Sequence, residues 1–213
     1  MPKRGCEPVV FTHAQPGQTP AKRLVVTRGP SGPAPRFGAS TSLSLDVRPK
    51  ARDNIGRMRL VEILTEDRVV LLRGLEGKPA ALDAIAALLA KGSSHDVAAV
   101  RAVLAEREGL QSTGIGEGVA IPHGFLLELT SQIAALIVVT DGVEFEAMDG
   151  RPARIILGVI GPKRGMHAQV EHLRILARVS RVLREPQLRE KMTHAPNARD
   201  LFALVRDADA KVP

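Results

Sequence analysis

Apolar and polar positions along this chain alternate between a helical and a strand period, and the alternation begins abruptly at Met58. From there Met-Arg-Leu-Val-Glu-Ile-Leu predicts a short helical turn over residues 60–64, and Arg-Val-Val-Leu-Leu predicts a strand over 68–72. Residues 79–91 place Leu82, Ile85 and Leu89 on one helical face, with Pro79 in the first turn and Gly92 just past the end. A second helix, capped by Asp96 and running to about Glu108, turns Val97, Val100 and Leu104 inward. Two strongly apolar strands follow at 133–139 and 154–160. Between them Thr140-Asp-Gly and Met148-Asp-Gly bracket a short piece at 143–146, the pattern of a hairpin.

The longest helix is predicted over 168–184. Glu171, Arg174, Arg178, Arg181 and Glu185 recur at helical spacing and read as its solvated stripe, which leaves Leu173, Ile175, Leu176, Val179, Val182 and Leu183 to lie on a sheet. Pro186 ends this helix; a short one from Gln187 and a last one over 197–205 close the chain. Strands and helices in this order predict an α/β fold, a single domain whose mixed central sheet is flanked by helices on both sides.

Residues 1–57 have a different composition. They hold eight of the 15 prolines, including Gly-Pro-Ser-Gly-Pro-Ala-Pro at 29–35, and their one strand-like run is a short piece at 24–27. This predicts a disordered extension ahead of a domain at 58–213. Charge follows the same boundary: the extension carries 10 Lys and Arg against 3 acidic residues, while the other 20 basic and 20 acidic residues cancel. The net charge of +7 therefore belongs to the extension, and nucleic-acid binding is not expected of the folded part. An aromatic content of 2% points the same way, because few rings are present to stack on bases. Two origins for the extension stay open: a segment translated upstream of a natural start at Met58, or a basic tail that touches acidic partners.

Cys6 is the single cysteine, which excludes an internal disulfide and a multi-cysteine metal site and fits a reducing compartment. No run reaches the roughly 20 apolar residues of a membrane-spanning helix, and Lys3 and Arg4 are followed by no apolar signal core. A cytoplasmic protein without a membrane span, cofactor or metal is expected. A metal hydrolase built on His123, His167 and His172 fits no familiar ligand spacing.

The chemistry concentrates in residues 112–124, Ser-Thr-Gly-Ile-Gly-Glu-Gly-Val-Ala-Ile-Pro-His-Gly. Gly114, Gly116 and Gly118 let backbone N–H groups approach an anion, with Ser112 and Thr113 as hydroxyl donors. Val119, Ala120 and Ile121 read as a buried strand, which Pro122 should stop, delivering His123 at its end; Gly124 leaves room for a partner. A neutral imidazole is a competent phosphoryl acceptor near pH 7 when its other nitrogen is held by a hydrogen bond. An ordinary loop histidine among turn glycines fits the same residues less economically. The glycines are neither a dinucleotide fingerprint nor a P-loop: they follow a helix, precede a strand, and lack the lysine.

Arg107-Glu108, the 112–124 segment ending in Pro-His123-Gly, Phe145-Glu-Ala-Met-Asp-Gly150 and Glu171-His172-Leu173 together resemble the type-2 enzyme IIA domain of the phosphoenolpyruvate-dependent phosphotransferase system. This is the fructose, mannitol and nitrogen-regulatory family, and the likeness leans toward its nitrogen-regulatory branch. The resemblance implies that His123 is phosphorylated by a histidine-containing phosphocarrier protein, that His172 and Arg107 line the same site, and that Thr113, Gly114, Gly116 and Gly118 bind the phosphate. It implies an enzyme IIB or a regulatory target as downstream partner. A purely regulatory module without transfer is the alternative. Taken alone, His172 also fits a buried histidine at a helix start, with an N–H available to an anion, and Arg107 a cation at a helix C-terminus.

Overall fold

The computed structural model describes residues 58–213; the predicted disordered extension and its short strand at 24–27 lie outside the described residues. A single turn, α1 (Leu60–Ile63), leads into β1 (Leu64–Leu72). Next come α2 (Gly77–Lys91), α3 (Val97–Leu110), β2 (Gly114–Gly116), β3 (Val119–Ala120), β4 (His123–Leu126), β5 (Ile133–Val143) and β6 (Ala153–Pro162). The chain closes with α4 (Met166–Leu183), α5 (Pro186–Thr193) and α6 (Ala198–Asp209). The six strands form one mixed sheet in the order β1-β5-β6-β3-β2, with β4 also paired to β6.

Period-2 alternation on the two central strands divides the core. Leu136, Val138, Ile155, Leu157 and Val159 face one layer with α1, α4, α5 and α6, whereas Ile137, Val139, Ile156 and Ile160 face α2 and α3. Strands buried on both faces read as continuous apolar runs, which is why β5 and β6 stand out in the sequence. Helices thus cover both faces of the sheet, as the sequence predicts.

Four local expectations are corrected. First, the Thr140-Asp-Gly turn is an irregular stretch inside β5, where the register to β6 slips between Val138 and Val143; the connection to β6 is 144–152. Second, Val97 is 45% exposed, because α3 buries only the stripe Val100, Leu104 and Glu108. Third, Leu173 is 64% exposed, while Arg178 of the expected solvated stripe is buried. Arg178 donates from Nη2 to the Asp209 and Val212 carbonyls and from Nε to the buried Asp209 carboxylate, because α6 packs along that flank of α4. An intramolecular partner converts a surface cation into part of the helix packing.

The fourth correction concerns the functional segment. β3 does stop ahead of Pro122, at Ala120, but His123 is not left at a strand end: it opens β4. Val119 and Ala120 pair parallel to Ile155 and Ile156, the Pro122 carbonyl accepts the Val159 N–H at 2.9 Å, and His123 to Leu126 continue along Val159 to Pro162. Proline removes a donor but keeps its carbonyl, so the run along β6 is interrupted and then resumes. His123 is held on the sheet rather than at a loop tip.

Candidate functional site around His123

The Ile121 carbonyl lies 2.8 Å from His123 Nδ1. A carbonyl only accepts, so Nδ1 carries the hydrogen. On the other side of the ring Arg107 Nε–H donates to His123 Nε2 at 3.1 Å, which requires a lone pair on Nε2. Both contacts select the same neutral tautomer. Burial, the largest influence, and the Arg107 guanidinium push the His123 pKa below its ordinary value; the Ile121 bond and the Glu108 carboxylate oppose them. The ring therefore holds a nucleophilic Nε2 at neutral pH.

Arg107 comes from the last turn of α3, where its Nη1 donates to the Gln111 carbonyl at 2.8 Å. It closes its helix and reaches His123 with the same guanidinium. The open cavity beside these groups, ≈ 420 Å³, is lined by Thr113, Gly114, Ile115, Met148, Leu176 and Ser180 as well as Arg107 and His123. Ile115 and Met148 are exposed at its rim.

His172 stands across from the nucleophile, with ring centroids 5.9 Å apart, and leans on Phe125 at 4.4 Å. It is fully buried, on the α4 face continued by Ile175, Val179 and Val182. Its pKa is lowered to about 4, by burial first and His123 second. The helix begins at Met166, so His172 lies nearly two turns inside it, beyond the first turn where the dipole acts on an anion. Its Nδ1 is 2.8 Å from Gln132 Oε1, so the expected free ring N–H is already committed.

The expected glycine cradle is arranged differently. Thr113 N–H donates to Glu108 Oε2 at 2.9 Å, and Thr113 Oγ1–H donates to the same oxygen. Ser112 Oγ–H is taken by the Phe145 carbonyl. Gly116 and Gly118 do not line the His123 cavity; they frame the β2–β3 turn, in which Glu117 (φ 55) and Gly118 (φ 74) both have positive φ, the signature of a type I′ turn. Of the four expected phosphate binders, Thr113 and Gly114 reach the cavity of the nucleophile.

A chain of hydrogen bonds lies behind the ring. Lys78 Nζ pairs with Glu108 Oε1 at 3.0 Å, Glu108 holds Thr113, the Thr113 carbonyl accepts Ile121 N–H at 3.0 Å, and the Ile121 carbonyl holds His123. The segment carrying the nucleophile is thus anchored to a buried carboxylate.

Residues 62–208 match the family described as "Phosphoenolpyruvate-dependent sugar phosphotransferase system, EIIA 2". The chain belongs to this family. A nitrogen regulatory protein of Pseudomonas aeruginosa is 33% identical over 151 residues, 70% of this chain and 96% of that protein. A fructose-specific EIIABC component of Bacillus subtilis is 30% identical over 153 residues, 71% of this chain but 24% of that longer protein. The crystal structure of nitrogen regulatory protein IIA-Ntr from Neisseria meningitidis is 32% identical with a TM-score of 0.62, covering 68% of this chain and 97% of that one. The mixed sheet and flanking helices are therefore the enzyme IIA fold, and the chain is a phosphotransferase-system component whose relatives are nitrogen-regulatory proteins and sugar components. No helix among the described residues is long and apolar enough to cross a membrane.

Within this enzyme IIA domain the structure brings His123, Arg107 and His172 close together from β4, α3 and α4. His167 is exposed in the first turn of α4, away from this group. Sequence reasoning missed Gln132, the side chain on which His172 rests. The available signal was a lone amide at the entrance to the apolar run of β5.

Proposed function

We propose that the domain is a phosphoryl carrier in which His123 Nε2 accepts phosphate from a histidine-containing phosphocarrier protein and holds it as a regulatory signal of the nitrogen-phosphotransferase kind. The observation that carries this reading is the double constraint on the ring: Ile121 fixes the hydrogen on Nδ1, and Arg107 marks the lone pair on Nε2. In the transfer, the Nε2 lone pair attacks phosphorus while the bond from phosphorus to the donor imidazole breaks, and the donor ring leaves with the pair. Such transfer needs positioning and charge stabilisation more than covalent help from the protein. Arg107, already at Nε2, turns onto the phosphate oxygens, with Thr113 and Gly114 at the cavity wall and His172 opposite. The added charge of about −1.5 to −2 then changes which proteins dock at this surface.

The test is incubation with phosphoenolpyruvate, enzyme I and the phosphocarrier. The wild type is expected to take up one equivalent of acid-labile phosphate and His123→Ala none; equal labelling of His123→Ala rejects the assignment. A second reading, onward transfer to an enzyme IIB in sugar uptake, draws on the likeness to the Bacillus subtilis fructose component. Phosphate appearing on an added enzyme IIB would favour it.

A further inference from the structure

His172 Nε2 is buried and has no hydrogen-bond partner among the described residues. An orphaned polar atom inside a protein costs free energy and calls for an explanation. It lies on the ring beside His123, which also receives a hydrogen bond from Arg107 of α3.

The state of this atom is set from outside the ring. Gln132 is 3% exposed, and its amide Nε2–H donates to the Ala168 carbonyl at 3.1 Å. Turning the amide over would set its oxygen against that carbonyl, so the oxygen faces His172. The oxygen only accepts, hence His172 Nδ1 carries the hydrogen and Nε2 holds a bare lone pair. The site accommodates this pair tightly: a Cβ on Gly161 would stand 2.2 Å from Gln132 Oε1 and 2.7 Å from His172 Nδ1.

A lone pair on the ring next to a phosphorylated His123 would repel the phosphate oxygens that reach it. A hydrogen there would donate to them and bring a positive charge. We propose that His172 takes up one proton at Nε2 when His123 is phosphorylated, and that Gln132 is the positioning residue that keeps this atom, rather than Nδ1, open for it. The inference rests on the carrier reading above. The proton comes from solvent; the phosphorus–nitrogen exchange between the donor ring and His123 is unchanged by it. Before phosphorylation His172 is neutral, since its pKa is near 4, so it adds no charge that would oppose a cationic donor ring. A phosphate dianion on the neighbouring His123 ring, whose centroid is 5.9 Å away, reverses that preference. The groups placed against the ring are His123 and Phe125 from β4, the neutral Gln132 before β5 and Gly161 of β6, while Arg107 of α3 bonds to His123. Uptake of one proton makes the equilibrium constant for acceptance fall tenfold per pH unit between the free and the phosphorylated pKa of His172.

The experiment is nitrogen-15 NMR of the histidine rings in the full chain, free and phosphorylated, through neutral pH. Phosphoryl is installed either by the carrier proteins or by phosphoramidate. The expected result is a neutral His172 with hydrogen on Nδ1 in the free protein and an imidazolium once His123 carries phosphate. A free-state Nε2–H tautomer, or a His172 that stays neutral in the phosphorylated protein throughout pH 6 to 8, overturns the proposal. Gln132→Glu should make His172 cationic before phosphorylation and flatten the pH dependence of acceptance; Gln132→Met should leave both tautomers populated. Unchanged ring signals and pH dependence in both folded variants would remove Gln132 from the role. Phosphorylation by phosphoramidate but not by the carrier proteins would reject the carrier reading while leaving the proton uptake measurable.

Discussion

The Ile121 carbonyl and His123 Nδ1 are 2.8 Å apart, so a backbone atom two residues away chooses which ring nitrogen of His123 keeps its lone pair. The carbonyl is in turn fixed by the Thr113 to Ile121 bond and the buried Glu108. The reactive ring is oriented by main chain on one side and by Arg107 on the other.

That orientation has a pH signature. Protonation removes the Nε2 lone pair, and the folded-state pKa of His123 lies below the ordinary histidine value, with burial as the first cause. The initial rate of phosphoryl acceptance is therefore expected to be flat from about pH 7 to 8 and to fall only below the usual histidine range of about 6.5. Rapid-quench measurements across this range check it; a rate that halves near pH 7 would contradict the lowered pKa.

Arg107→Lys keeps a charge but loses the planar fork that spans Gln111 and His123. Removing one preorganised donor of this kind costs about 10²–10³ in rate. Acceptance should slow by that order with thermal stability within about 0.5 kcal/mol, the usual range for a site outside the core. Quench kinetics beside thermal melts separate the two effects.

Gly161→Ala pushes a methyl group into the contact between Gln132 and His172. Overpacking of this sort costs about 1–3 kcal/mol, and His172 should lose its fixed tautomer. Urea unfolding reports the first consequence and the histidine ring signals the second.

Glu108→Ala removes the carboxylate that holds Thr113 and leaves Lys78 with the exposed Glu146 as its partner at 2.9 Å. Leaving the buried Thr113 donors without an acceptor costs about 1–3 kcal/mol. Burial, the largest influence on the Glu108 carboxyl, pushes its pKa up, but bonds from Thr113 and Lys78 together bring it below the ordinary value. A lowered folded-state pKa contributes stability above the unfolded carboxyl range, and that contribution is lost as pH falls through the folded value. The stability gap between wild type and variant should be full at neutral pH and shrink on acidification, as urea titrations at several pH values would show.

Much of this was legible in the residues. The runs that became β5 and β6 are buried on both faces and could be found by apolarity alone, and Asp96 caps its helix as its residue type predicts. His123 stood out as the proposed nucleophile because Pro122-His123-Gly124 follows an unusual glycine segment. Gln132 was not, since a single amide carries no periodic signal.

The sequence by itself determined the α/β class and the layers around the sheet and singled out His123 as the candidate acceptor, because hydrophobic period and residue chemistry are local properties. Tertiary structure alone decided what each polar group does. Arg178 left the solvated stripe because α6 brought Asp209 to it, and Thr113 turned from phosphate to Glu108. His172 presents a lone pair because Gln132, 40 positions away, was placed against it. A polar side chain's role depends on the partner that the fold supplies, and that partner is set by packing at long range.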